Sequence, residues 1–205
     1  MAPKYKLTYF NAKALAEPIR FLFAYGGLEF EDVRISTKDW PNHKSSFPYG
    51  KVPTLEVDGQ IIDQSKAIGR YLAKKVGLMG KDDWEDLLID SVVDTFNDFR
   101  LECAEYAYEP DPKIKAKKQE KLWKETIPFY MNKLDELAKE NGGYLVCGKL
   151  TWADVYVAGM HETYILYSGQ NFLEGRAHLK SVVDKVYAIP AIKAIIDKRP
   201  SNEEF

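Results

Sequence analysis

Residues 47–65 read FPYGKVPTLEVDGQIIDQS, and the fold is decided in this stretch. Thr54 to Val57 is an extended segment, Asp58-Gly59 is a turn whose residues tolerate the positive φ of a tight hairpin, and Gln60 to Ile62 returns as a second strand. Val52-Pro53 stands ahead of the hairpin. Proline has no N–H to give to a ladder, so Pro53 belongs at the very start of its strand, and the Val52 backbone is left for something other than sheet pairing. Behind the hairpin, Gln64-Ser65 opens the helical pattern Ala67, Ile68, Tyr71, Leu72. A serine at a helix mouth, beside unpaired N–H groups and the positive end of the dipole, suits a carboxylate. One short segment thus offers a free extended backbone at one end and an anion site at the other, which together match a small peptide-like ligand.

Upstream, Tyr5 to Phe10 alternates as a strand, with Leu7 and Tyr9 on one side and Thr8 and Phe10 on the other. The stretch Asn11-Ala12-Lys13 leads into a helix with Glu17-Pro18 in its first turn and Ile19, Leu22 and Phe23 as its apolar stripe, ended by Gly26-Gly27. Glu31 to Ile35 is a second strand, so the opening is a βαβ unit. Trp40-Pro41 and the residues Asn42 to Ser46 connect it to the hairpin, either irregularly or as a brief helix. With the helix from Ser65 to Val76, residues 1–76 compose an α/β domain of the pattern βαβ-ββα. Gly77 to Lys81 reads as a linker, because it carries two glycines and everything after it is helical in pattern.

From Asp82 onward the apolar period is 3.6 residues. Leu87, Leu88, Val92, Phe96 and Phe99 form the apolar face of a long helix that runs to about Ala107, and Glu109-Pro110-Asp111-Pro112 breaks it. A second long helix spans about Ile114 to Glu140, with Leu122, Ile127, Tyr130, Leu134 and Leu137 as core positions. Pro128 kinks it rather than ending it, since the periodicity resumes beyond. Gly142-Gly143 stops it. The clearest capping signal is LTWADV, Leu150 to Val155, with Thr151 as N-cap and Asp154 at N3 where a glutamate is usual. Shorter helices follow at about Leu179 to Tyr187 and Pro190 to Lys198.

A chain of 205 residues and 23.5 kDa can bury a substantial core, as one domain or two small ones. Its charged fraction of 29% and formal net charge of −2 create no field that favours nucleic acid. No apolar run approaches the roughly 18 residues of a membrane span, and MAPKYKLTYF enters a strand pattern without a signal-type segment, so a cytoplasmic protein without a membrane partner is expected. Cys103 and Cys147 lack metal-ligand spacing and read as reduced structural thiols. With 13 tyrosines in the chain, position rather than type must single one out.

GKVPTLEVDG followed by QSKAIGRYLA, with YKLTYF near the amino terminus and LTWADV late in the chain, resembles the cytosolic glutathione transferases. The likeness spans essentially the whole chain. It is similar specifically to the sigma class, with its insect enzymes, glutathione-requiring prostaglandin D synthases and S-crystallins. The resemblance implies a thioredoxin-like glutathione-binding domain over 1–76, a linker over 77–81, and an all-α domain over 82–205 that carries much of the electrophile pocket. It implies reduced glutathione as co-substrate, conjugated to small hydrophobic electrophiles such as lipid-peroxidation enals, with glutathione peroxidase activity beside it. Isomerisation of prostaglandin H2 to the D form and a crystallin-like structural role are the alternatives.

Tyr9 lies near the end of the first strand, at the edge where open sheets place their ligands; from the residues alone a core aromatic is the other reading. The resemblance implies that it is catalytic, its phenol donating a hydrogen bond that favours thiolate over thiol. Tyr5 is a neighbouring alternative outside the motif position. The resemblance further implies that the Val52 backbone pairs with the cysteinyl part of glutathione, that Pro53 is cis, and that Gln64 and Ser65 hold the γ-glutamyl end. Trp40, Lys44 and Lys51 match residues around the glycine end, where a lysine answers the second carboxylate. Asp98 matches the acid that reaches the γ-glutamyl region in the partner subunit, which implies a homodimer with a composite site.

Two departures stand out. Leu15 lies near where the prostaglandin D synthases carry an arginine, and Asp94, Asn97 and Asp98 occupy the places of three aspartates that can hold magnesium or calcium there. The neutral Asn lowers the charge, and no metal is expected. The electrophile pocket is read from Phe10, Ala14 and Leu15 after the first strand and from Arg100, Cys103 and Tyr164 in the helical domain, where Glu105 also departs from the family's apolar wall. His161 and Tyr164 face either that pocket or a packed helix interior. Phe205 is expected to fold over the site or to be disordered.

Overall fold

Alternation along β1 (Tyr5–Phe10) turns Tyr5, Leu7 and Tyr9 to one face, all of them buried, and Phe10 to the other. In the computed structural model, which describes residues 3–201 and 204, the first face meets α1 (Glu17–Tyr25): Tyr5 packs edge-on against Phe23 with ring centroids 5.3 Å apart. On the second face Phe10 packs on Trp40, which opens the one-turn α2 (Trp40–His43). Phe205 lies outside the described residues.

β1 is central in a mixed four-stranded sheet. It pairs in parallel with β2 (Phe30–Ile35) and antiparallel with β3 (Thr54–Val57), which pairs in turn with β4 (Gln60–Asp63). The hairpin turn uses Asp58 at φ 49° and Gly59 at φ 87°, the left-handed geometry for which Asp-Gly is suited. α3 (Ser65–Lys75) follows directly and packs beside α1, burying Ile68, Gly69, Leu72 and Ala73. This is the thioredoxin-like arrangement expected from the sequence.

The chain divides into two units, one running to Leu78 and taking in the residues from Ala188 onward, the other from Met79 to Tyr187. The sequence reading assigns 82–205 to one helical domain. In the structure α9 (Pro190–Asp197) packs on α1, and Arg199 beyond it pairs with Glu17, so the last helix goes with the sheet. Its stripe was legible, its partner was not.

The second unit is helical. α4 (Asp83–Ala107) is capped by Asp82, whose carboxylate accepts from the Glu85 amide, and it buries Ile89, Val92, Val93, Phe96, Phe99 and Cys103. Leu87 and Leu88, expected on that face, are instead 55% and 38% exposed: the buried stripe runs through Ile89, Val93 and Phe96 at i, i+4, i+7, which leaves both leucines at its edge. α5 (Pro112–Lys121) passes through one π-helical stretch, Leu122–Thr126, into α6 (Ile127–Glu140). The expected kink at Pro128 is thus taken up ahead of the proline, in a wider turn. Leu122, Ile127 and Leu134 are buried as expected, but Met131 and Ala138 fill core positions expected of Tyr130 and Leu137, which are half-buried.

α7 (Trp152–Ser168) runs through the middle of this unit and packs on α4 and on α8 (Ala177–Tyr187). Its capping box forms as the sequence predicts, with Asp154 Oδ2 accepting from the Thr151 amide at 2.7 Å and the Thr151 hydroxyl at 2.9 Å. Oδ1 accepts from the Leu145 amide at 2.8 Å, tying the preceding loop to the same carboxylate. Burial pushes the Asp154 carboxyl above its ordinary range, against the pull of these donors. Among the described residues no helix is long and apolar enough to cross a membrane. Asp154→Ala strands two buried amides at about 1–3 kcal/mol each. We therefore expect a loss of about 2–6 kcal/mol, read as a lower urea midpoint, with Asp154→Asn recovering part of it by keeping one acceptor.

Candidate functional site

Three separate parts of the sequence arrive at one end of the sheet because of its register. The last antiparallel rung joins Thr8 to Thr54, and Thr54 faces Asp63 on its other side. Beyond that rung the chain continues to Tyr9 on β1, back to Pro53 ahead of β3, and on to Gln64 after β4. Strands about 4.8 Å apart keep such neighbours within side-chain reach.

Tyr9 is buried on the α1 face, and its ring packs on that of Phe10 with centroids 5.4 Å apart. Tyr5 stands at the other end of β1, opposite Val57. Burial, with a hydrogen bond to Tyr71, pushes the Tyr5 hydroxyl up to about 12, and its place on the ladder takes it away from this end of the sheet.

The Val52-Pro53 peptide is cis. Pro53 is buried and Val52 half-buried, and among the described residues neither backbone group of Val52 pairs with another. Gln64 is exposed and takes φ 73°, ψ 98°, a conformation that a non-glycine residue adopts only when its surroundings impose it. Its side chain does not cap α3, and Ser65 begins that helix half-buried. Asp63, which the sequence reading passed over, has a buried Oδ2 without a partner.

Trp40 stacks on Phe47 at a centroid distance of 5.7 Å and meets Phe10 edge-on at 5.2 Å. The Lys44 stem crosses Gly50, where a Cβ would come within 3.2 Å of two of its carbons; at φ 57° this position favours glycine for both reasons. Lys44 and Lys51 are exposed. Two cations, an aromatic cluster, a free stretch of backbone and a helix amino terminus therefore belong to the same unit. Together they can bind an extended ligand with a negative group at each end.

After β1, Ala14 is buried at φ 37° in a single 3-10 turn, Ala14–Ala16, and Leu15 is half-buried. In the helical unit Arg100 is half-buried and donates from Nε to Asn97 Oδ1 at 3.0 Å. Cys103 and Tyr164 are fully buried, Tyr164 packing edge-on against Phe96 and Phe99 with both centroids at 5.1 Å. Burial pushes the Cys103 thiol up to about 12, which keeps it protonated and inert at neutral pH. His161 packs on Phe172, and burial pushes its pKa down. Asp94 and Asp98 are exposed, and among the described residues no group of three or more His, Cys, Asp or Glu is placed to hold a metal ion.

The sequence reading missed the buried charges behind the site. Glu17 and Arg20 lie in the apolar stripe of α1 and join Asp32 and Arg199. Their one signal was an acid and a base at i, i+3 among Ile19, Leu22 and Phe23.

Residues 5–74 match the family model of the glutathione S-transferase N-terminal domain, and residues 97–199 that of the glutathione S-transferase C-terminal domain. A glutathione S-transferase of Anopheles gambiae is 54% identical over 201 residues, covering 98% of this chain and 99% of that one. One of Drosophila melanogaster is 53% identical over 199 residues, covering 97% and 80%. The solved structure of prostaglandin synthase D of Nilaparvata lugens superposes with a TM-score of 0.93 at 49% identity, over 96% of this chain and 98% of that one.

Proposed function

The chain belongs to the glutathione S-transferase family, and we propose that it is a sigma-class member in which Tyr9 activates the glutathione thiol for attack on small hydrophobic electrophiles. It is an enzyme of that family, with glutathione as its co-substrate. The observation that carries the reading of its site is the convergence of Tyr9, the Val52-Pro53 backbone and Gln64-Ser65 at one end of the sheet.

Glutathione lies along the edge of that end. The free N–H and C=O of Val52 pair with its cysteinyl backbone as an added strand does. Its γ-glutamyl carboxylate meets the Ser65 hydroxyl and the amino terminus of α3, and Gln64 holds the same end. Its glycine carboxylate faces Lys44 and Lys51 beside Trp40. This places the sulfur toward Tyr9. The phenol donates to it and stabilises the thiolate without ionising, its own unperturbed pKa being about 10.

Phe10, Ala14 and Leu15 border the electrophile. Lipid-peroxidation enals fit an apolar border of this kind, with peroxidase turnover as a second use of the same thiolate. Isomerisation of prostaglandin H2 is the other reading, favoured by the likeness to a protein named prostaglandin synthase D. Leu15, near the place of that group's arginine, makes it a minor activity.

The working unit is a cytoplasmic homodimer in which Asp98 of one subunit reaches the γ-glutamyl end in the other. Exposed Trp84, Leu87 and Leu88 on α4 support a partnered face. Asp98→Ala weakens glutathione binding while sedimentation stays that of a dimer. A fully active species at monomer mass defeats the shared site.

Tyr9→Phe lowers turnover by about 10²-fold and raises the apparent pKa of bound glutathione toward its solution value, with little change in glutathione affinity. An unshifted pH profile refutes the assignment. Ser65→Ala acts on binding instead, weakening it by about 1.5–3 kcal/mol, as for a hydrogen bond to a charged group. Titration calorimetry with glutathione measures this, and an unchanged affinity puts the carboxylate elsewhere.

A further inference from the structure

The turn that follows Tyr9 is held by two buried charges, Glu17 and Arg20, which are anchored in turn by the more exposed Asp32 and Arg199. Glu17 and Arg20 are 0% and 1% exposed. Arg20 Nη1 donates to the Ala12 carbonyl at 2.7 Å and to Glu17 Oε2 at 3.0 Å, while its Nε donates to Asp32 on β2 at 3.1 Å. The other Glu17 oxygen accepts from Arg199 Nε at 2.7 Å, across 182 residues of sequence. Ala12 gives its own N–H to the Phe10 carbonyl at 2.7 Å, and Asn11 gives its N–H to Ile35 at 3.0 Å. A continuous line of contacts therefore runs from Arg199 through Glu17 and Arg20 to Ala12, and from Ala12 to the residue next to Tyr9.

Three features indicate that the line sets position. Buried ion pairs contribute little net stability, because desolvation offsets their attraction. Arg20 Nη2 is buried without a partner, a cost that an arrangement selected for stability alone would avoid. The turn it holds contains Ala14 at φ 37°, and a residue stays in that region only where its surroundings over-determine it.

We propose that Arg199 is a positioning residue for Tyr9, acting through Glu17 and Arg20 to fix the turn at the end of β1. It touches neither glutathione nor electrophile. The carboxyl-terminal segment beyond α9 thus takes part in catalysis by holding the phenol where the thiolate forms, and a misplacement of about 1 Å at such a point costs on the order of 10²-fold in rate. The inference rests on the reading of Tyr9 given above.

The test is a double-mutant cycle in the full chain, with Arg199→Gln, Tyr9→Phe and the two combined, and Arg199→Lys as the conservative control. Each is assayed for kcat and glutathione KM with an aryl halide and for the pH dependence of the bound thiolate's absorbance, at a temperature where circular dichroism shows it folded. Arg199→Gln is expected to lower kcat about 10-fold and to raise the thiol pKa, with glutathione KM changed less than about two-fold. Arg199→Lys recovers most of this, since an ammonium still answers Glu17. In the Tyr9→Phe background Arg199→Gln adds no further loss, the coupling expected when one residue acts through the other.

Equal losses in both backgrounds overturn the proposal, as does a lowered melting temperature with unchanged kcat and pH profile. Should Arg199→Gln not fold, Glu17→Gln is read by the same criteria. A Tyr9→Phe single variant with an unshifted profile overturns the thiolate reading as well, which separates the two failures.

Discussion

The rung that joins Thr8, Thr54 and Asp63 is the constraint on which the proposed site depends. Backbone pairing is indifferent to side chains, yet here it decides that Tyr9, Pro53 and Gln64 lie at the same end of the sheet. A slip of one residue on β3 would turn Leu55 from the α1 face to the other and bury the wrong set. The burial of Leu7 and Leu55, partners on the next rung, therefore fixes the same register that assembles the ligand-binding edge. Core packing and site geometry are set by one alignment.

Two buried carboxylates perform related tasks in the two units. In the helical unit Asp154 accepts from neutral donors, among them the Leu145 and Thr151 amides and the Thr151 hydroxyl, all within ten residues. It closes a local cap. In the sheet-containing unit Glu17 is answered by two guanidinium groups, one of them from the far end of the chain. A neutral-donor cap is satisfied by local folding alone, whereas the pair of Glu17 with Arg199, unlike its i, i+3 pair with Arg20, can form only after the chain's last segment has docked. The sheet's first turn thus waits for the carboxyl terminus in a way that the α7 cap waits for nothing.

What the sequence revealed follows this same division. The Asp-Gly hairpin, the Thr151-Asp154 box and the stops at Gly26-Gly27 and Gly142-Gly143 rest on contacts within a few residues, and they were legible. The place of α9 depends on α1, far away in sequence, and was not. Ala14, Tyr49 and Gln64 take positive φ without being glycine, so no residue type announced them. The π-helical stretch ahead of Pro128 was replaced in the reading by a kink, because a proline reports that the helix must adjust but not on which side. Leu87 and Leu88 are apolar and fit a helical period, yet apolar residues on a surface are common and the pattern cannot say which edge of a stripe stays exposed. The motif residues at the edge of the sheet were readable through the family resemblance; the charges behind them were readable only in the folded structure.

The proposed chemistry asks little of each group. A hydrogen bond to a charged acceptor contributes about 1.5–3 kcal/mol, and one pKa unit corresponds to 1.36 kcal/mol, so a single well-placed phenol lowers a thiol by about one to two units. That suffices to bring a thiol from about 8.5 to near neutrality. The demand falls on placement, because a misplacement of about 1 Å at the reacting point costs on the order of 10²-fold in rate. This explains why the charged groups of the first unit lie where they do. None of Glu17, Arg20, Asp32 and Arg199 is needed to shift the thiol directly, and their network, with Glu17 and Arg20 at its buried centre, is concentrated on the one turn whose movement would carry Tyr9 with it.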